Sequence, residues 1–384
     1  VTERRWTHLL VLLVGLLALA VLLARGPLLM NDFVEYWAAA SLVLEGGNPY
    51  DPVQMLEMER SVGFSGAEPL LMLNPPPVLT LVLPFGAMPY RPAALLWLIV
   101  NTVALLWSVY LLWELAGGTM RRSWIAFTVG LFFVPSLFAL LMGQISILIL
   151  LGLALFLRFV DRGRMAAAGA ASTLLLIKPH VVFLVGAAIF AWWIRVRDRS
   201  FLRGAAAAVL LCAVPLAFDP SIYGRYLDMG RVEPMWHFST STLGTMLRVA
   251  TGDPSRFGFQ FVPMVLGFAY LATRLRRYRG SEWNWLREMP ALVTVSVATA
   301  AYGWVFDQVV LLVAAIPLLA IALRSGGTRL GFTLIFWVLI TLISFEQAFR
   351  SVNSFWYFWM PHAFLLALLL LSTSFRHHGR RPSS

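Results

Sequence analysis

The feature that most constrains this chain is a succession of apolar runs joined by short, arginine-bearing connectors. A first run extends from about residue 9 to residue 30. Others fall at about 76–89, 92–115, 124–142, 145–159, 165–177, 181–194, 204–218, 259–273, 289–301, 308–323, 330–344 and 359–374. A straight helix needs about 20 apolar residues to cross the hydrocarbon core, and several of these runs hold only about 14. Helices that short end at a cavity or an interface, where water or protein satisfies the backbone. Hydrophobic residues make up 59% of the 384-residue chain and charged residues 13%, about half the charged share of a soluble protein. The pattern predicts an all-α polytopic membrane protein.

The net charge of +11 raises the question of nucleic acid, and its distribution answers it. Basic residues cluster between apolar runs: Arg121 and Arg122, Arg162 and Arg164, Arg195 to Arg199, Arg274 to Arg279, Arg324 and Arg329, and a tail from Arg376 to Arg381. That is the pattern of cytoplasmic connectors. No basic stripe interleaves with exposed aromatics, so nucleic acid is not an expected partner. The orientation puts both termini in the cytoplasm. Alternation fails by one crossing between residues 30 and 121. It is repaired if the 76–89 segment, which opens at Pro75-Pro76-Pro77 and holds Pro84, enters and leaves on one side, giving about 12 spans. Ala18-Leu19-Ala20 resembles a signal-peptidase site, but the apolar run continues past it to Ala24 and, beyond Arg25, to Met30. An uncleaved signal anchor is expected. Cys212 is the single cysteine, which excludes a disulfide framework and a cysteine metal site.

One membrane domain over residues 1–384 is expected, with two long extracytoplasmic loops, 31–75 and 219–258, and a short aromatic one at about 345–358. Phosphate-binding glycine loops, HExxH and EF-hand patterns do not occur. In the first loop, Phe33, Trp37, Ala40 and Leu44 fall on one helical stripe. Tyr36 and Trp37 suit the bilayer interface, so a short interfacial helix is expected there. Gly46 to Pro52 then turns the chain. Asp32 has two readings. With Glu35 three residues on, it forms a capping-box pattern; alternatively it is a reactive carboxylate. A capping carboxylate accepts backbone N–H bonds, which lower its pKa and weaken it as a base.

The run Asp32-Phe33, Tyr36, Ala38-Ala39 and Gly46-Gly47-Asn48-Pro49-Tyr50-Asp51-Pro52 resembles the first-loop signature of a glycosyltransferase family. It is that of the multi-pass, polyprenyl-phosphate-mannose-dependent α-mannosyltransferases of bacterial envelopes, which have the GT-C architecture. Further similarities follow in order: Asn74-Pro75-Pro76-Pro77, then Gly143-Gln144 with Ser146 where Asn is usual, then Arg162-Gly163-Arg164, Lys178-Pro179, and Tyr302, Trp304, Phe306 and Asp307. The resemblance implies a GT-C-like bundle in the bacterial plasma membrane with an extracytoplasmic active site. It also implies that Asp32, just after the first transmembrane helix, is the catalytic base.

Lys178 is the only lysine, placed by the topology at an outer turn between two apolar half-length runs. An intramembrane cation is a functional candidate by default, against the bland reading of a snorkelling anchor. A lysine here can neutralise a lipid-linked phosphate as a point charge, a role the resemblance also implies, with His180 as a second donor. His237, in a stretch similar to a polar family motif, is a further candidate, as are Glu35, Tyr36, Tyr302 and Trp304. Gln144 can bond a sugar hydroxyl or cap the next helix. Asp307 needs a partner or water at its depth, with Arg225, Arg231 and Arg350 as the outer candidates; Arg350 is also a candidate substrate contact. No cluster asks for a metal or other cofactor, although a divalent metal is compatible with the chemistry.

The resemblance implies an inverting transfer of a sugar, mannose in the first instance, from a polyprenyl-phosphate donor to an envelope glycolipid or glycan. Asp32 takes the acceptor proton, while Lys178 and His180 hold the phosphate charge as it develops. The nearest alternative is an arabinofuranosyl or other pentosyl or hexosyl transferase with a similar donor. The alternative of another class is a transporter or flippase for a lipid-linked sugar, against which stands the lack of paired, broken-helix halves.

Overall fold

A computed structural model describes residues 30–233, 237–253, 255–278, 282–350 and 354–372. The expected signal anchor, Trp236, Arg279 and the basic tail from Arg376 lie outside the described residues. Regular structure among the described residues is helical throughout. Every apolar run from residue 76 onward coincides with a helix: Pro77–Gly86, Tyr90–Leu115, Ser123–Phe132 with Val134–Met142, Ser146–Asp161, Met165–Ser172, Phe183–Val196, Ala207–Phe218, Val262–Arg277, Trp285–Thr299, Leu312–Ser325, Gly327–Phe349 and Trp359–Ser372.

Among the described residues four segments are long and apolar enough to cross a membrane: Tyr90–Leu115, Arg199–Phe218, Val305–Ser325 and Gly327–Phe349. A fifth arises if Met120–Phe132 and Val134–Met142, bent by 62°, count as one span. The bend has a local cause. Phe133 is extended, and Pro135 lacks the N–H that would continue the first helix. Apolar side chains cover the outer faces of the long segments, among them Val209, Leu210, Ile335, Leu339 and Leu342. Such a surface needs lipid as its solvent. The remaining apolar helices, such as Phe183–Val196, are shorter. At 1.5 Å per residue, 14 residues reach about 21 Å, less than the hydrocarbon thickness of about 30 Å.

Contacts group the chain into two compact units. The first comprises the described residues within Val1–Ala104, Ala139–Ile145 and Ala208–Pro234. At its centre lies the helix Asn31–Leu44, in which every residue from Phe33 to Val43 is buried. This corrects the interfacial placement expected from Tyr36 and Trp37. A surface helix keeps a polar face in water, whereas here the small residues Ala38, Ala39 and Ala40 admit a neighbour on that side. The neighbour is Pro77–Gly86. A Cβ on Gly86 would lie 2.6 Å from the Ala40 carbonyl carbon, so only glycine permits the approach. On the other side, Phe33 stacks on Trp97 at 5.4 Å between centroids and meets Phe85 edge-on. The next helix, Pro52–Ser61, starts at Asp51, whose carboxylate accepts from Val53 and Gln54 N–H, with Pro52 in the favoured first position.

The second unit comprises the described residues within Leu105–Phe138, Ser146–Ala207 and Met235–Ser384. Its core is the helix Leu312–Ser325, with Val313, Ala314, Ala315 and Ile316 fully buried. The 3-10 segment Val305–Leu311 precedes it. A short 3-10 turn, Thr173–Ile177, ends at Lys178, and the turn after it leads into Phe183–Val196.

Candidate active site

In the first unit the helix Asn31–Leu44 is capped by Met30, with no side-chain cap bond. Asp32 therefore sits in the first helical turn rather than at the cap, which corrects the capping-box reading. Among residues 32–43 it is the one that keeps partial exposure. A carboxylate in the first turn is favoured by the helix dipole. Four residues on, the Tyr36 hydroxyl donates to Gln144 Oε1 at 2.9 Å and accepts from Asn74 Nδ2 at 3.4 Å. Gln144 Oε1 also accepts from the Ile145 N–H, and the Tyr50 hydroxyl reaches the Asn74 carbonyl at 3.5 Å. The turn that presents Gln144 depends on Gly143. Its φ is +71°, and a Cβ there would meet Phe33 Cβ at 2.6 Å. Trp97 Nε1 donates to the Gly143 carbonyl at 2.6 Å. Tyr36, Asn74 and Gln144, far apart in sequence, thus form one buried polar cluster, beside which Glu35 is also buried.

Sequence reasoning missed Glu59 in this loop. It is fully buried, and both its oxygens accept from the Leu70 N–H, at 3.2 and 3.1 Å. Burial pushes its carboxyl up to about 7, partly offset by the Leu70 bond. The available signal was its spacing: Met55 and Glu59, four residues apart, share the buried face of Pro52–Ser61.

In the second unit Lys178 Nζ lies 2.9 Å from Asp307 Oδ1, and both side chains are almost wholly buried. Ser146 Oγ donates to the same Asp307 oxygen and accepts from Lys178 at 3.3 Å. Asp307 Oδ2 accepts from the Trp304 N–H at 2.9 Å, while the Asp307 N–H donates to the Trp304 carbonyl. This pair of bonds closes the first turn of Val305–Leu311. The Phe306 ring lies under the ammonium, 4.9 Å from its centroid. His180 meets Tyr302 edge-on at 6.1 Å. Lys178, His180, Tyr302, Trp304 and Asp307 are therefore neighbours.

The arginines expected near Asp307 pair elsewhere. Arg225 binds Asp219 at 3.1 Å, Arg231 binds Asp228, and Arg350 binds Glu346 one turn back on its own helix. Lys178 takes the place assigned to them, because it is already buried beside Asp307. His237 is exposed. Arg248, not singled out by its sequence context, is 2% exposed and donates from Nη2 to the Phe238 carbonyl at 2.8 Å. Burial lowers its pKa, and the Tyr302 hydroxyl opposes that shift. Among the described residues no group of three His, Cys, Asp or Glu side chains gathers to hold a metal ion.

The sequence matches glycosyltransferase family 87 over residues 72–344, more than half of the chain. The match takes in Asn74, Gln144, Lys178, Arg248 and Asp307, and begins beyond Asp32. No curated protein and no solved structure matches the chain.

Proposed function

Because the chain belongs to glycosyltransferase family 87, and so is a membrane glycosyltransferase, we propose that it moves mannose from a polyprenyl-phosphate donor to an envelope glycolipid or glycan. The reaction takes place on the extracytoplasmic side of the bacterial plasma membrane, in a GT-C-like bundle of about 12 helices with both termini in the cytoplasm. The acceptor hydroxyl attacks the anomeric carbon and gives its proton to Asp32. The bond between that carbon and the phosphate oxygen breaks, and the electron pair leaves with polyprenyl phosphate. One displacement inverts the centre. Lys178 and His180 favour the departing anion, and the polar cluster of Tyr36 and Gln144 supplies groups able to bond sugar hydroxyls.

The observation that carries the assignment of the base is that Asp32 keeps partial exposure on a helix whose next eleven residues are all buried. Family membership favours transfer over the flippase reading. The second reading, an arabinofuranosyl or other pentosyl or hexosyl transferase, keeps the same donor chemistry. Purified protein in liposomes, given radiolabelled polyprenyl-phosphate sugars one at a time, separates them. Label transferred from the mannosyl donor supports the first reading, and transfer from a different sugar alone supports the second. No transfer from any lipid-linked donor overturns both.

A further inference from the structure

Two aromatic side chains beside Lys178 have no part in the proposed displacement. Trp304 and Phe306 are each half-buried, whereas every other residue from Val305 to Leu311 is buried. Their rings are tilted by only 26°, with centroids 6.2 Å apart. Phe306 is also the ring that lies 4.9 Å from the Lys178 ammonium.

The backbone fixes this pair in place. The Trp304 N–H donates to Asp307 Oδ2 at 2.9 Å, and Asp307 is paired with Lys178. Phe238 meets Trp304 edge-on at 6.1 Å, and the Ser241 N–H donates to the adjacent Gly303 carbonyl at 2.8 Å. Gly303, itself half-buried, has no side chain with which to cover the rings. Among the described residues beyond its chain neighbours, a Cβ there would meet only Thr242 Cγ2, at 3.7 Å. Room therefore remains beside the indole. One bridging oxygen joins a donor phosphate at the ammonium to the anomeric carbon, so the sugar lies within a few bonds of these rings. The face of an aromatic ring is negative, and it attracts the slightly positive hydrogens of sugar C–H bonds. A hexopyranose chair aligns several axial C–H bonds on one face, and a puckered furanose has no such row.

We propose that Trp304 is the platform on which the donor's sugar ring stacks, and that its flat indole selects a hexopyranose over a furanose. The inference rests on the lipid-phosphate donor, and on Lys178 as its phosphate contact, both proposed above. The stack covers the C3 to C5 side of the ring and leaves C1 beyond the indole edge, as attack at C1 requires. Phe306 continues the aromatic surface from the indole to the ammonium, so sugar and phosphate are held by adjoining parts of one segment.

The test measures dissociation constants on the full chain in liposomes, for wild type, Trp304→Met and Trp304→Phe. The ligands are undecaprenyl phosphate and its mannosyl and arabinofuranosyl esters. Methionine keeps apolar bulk without an aromatic face, and should weaken the mannosyl ester about fivefold while leaving the sugar-free lipid within about twofold of wild type. Phenylalanine keeps a smaller face and should recover most of that loss. Wild type should bind the mannosyl ester about fivefold more tightly than the arabinofuranosyl one, and this order decides if the Met variant fails to fold. An equal loss for the mannosyl ester and the sugar-free lipid overturns the assignment, because Trp304 then holds the lipid or its own loop. So does a folded Met variant that binds the mannosyl ester as wild type does, or a wild type that binds the arabinofuranosyl ester as tightly or more so. A wild type that binds none of the three lipids overturns the donor reading itself.

Discussion

Lys178 and Asp307, 129 residues apart, form an ion pair at 2.9 Å with both side chains almost wholly buried. Two charges withdrawn from water are tolerated together, and either alone is costly. Asp307→Asn should therefore destabilise the protein by about 3–5 kcal/mol, because it leaves the ammonium uncompensated. Replacing both, with Lys178→Met and Asp307→Leu, should recover most of that stability while activity stays low. Thermal unfolding in detergent and a transfer assay on the same preparations check both halves. A double variant as active as wild type would show that the pair serves folding alone.

Glu59 gives the first loop a pH dependence whose sign can be worked out. Its folded-state pKa is raised from 4.5 to about 7, so between these values the folded protein binds more protons than the unfolded one. Stability falls with pH wherever that holds. The contribution of Glu59 is fully present below about 4.5 and is lost as pH rises through about 7. Hydrogen exchange at the Leu70 amide, corrected for intrinsic rates, should show more protection at pH 5.5 than at pH 8. Glu59→Gln should flatten the difference.

Gly86 and Tyr36 test the packing of the helix that carries Asp32. The Ala40 backbone lies 2.6 Å from where a Cβ on Gly86 would stand, so Gly86→Ala forces the helices apart at a cost of about 1–3 kcal/mol. Tyr36→Phe removes the donor to Gln144 and the acceptor of Asn74, at a cost of about 1–3 kcal/mol for the polar groups left behind. Unfolding midpoints measure both, and the effects should be close to additive if Gly86 and Tyr36 act independently.

The helices were legible from the apolar runs, because hydropathy over a dozen residues is a local property. The lone Lys178 was legible too, since its chemical rarity and the following Pro179 mark a turn. What was not legible depended on pairing across the chain. Asp307 was matched with arginines of the outer loops, yet its partner is Lys178, and no spacing rule brings the two together. The cap at Met30 escaped the pattern Asp32–Glu35, because a helix starts where its packing begins as well as where a capping side chain stands. The interfacial reading of Asn31–Leu44 failed for a related reason. Its aromatic residues suit a membrane surface, but Ala38 to Ala40 and Gly86 allow it to be enclosed. Arg248 was passed over because its sequence context does not mark it as buried, and Glu59 because only its four-residue spacing from Met55 hinted at a shared buried face.

The most direct test of the account is sugar transfer by the Asp32→Asn variant, measured beside its binding of the lipid-linked donor. Asparagine keeps the shape of the first helical turn and removes the proton acceptor. The account predicts donor binding within about twofold of wild type and a fall in kcat of about 100-fold or more. Transfer at the wild-type rate would contradict it and remove Asp32 as the base.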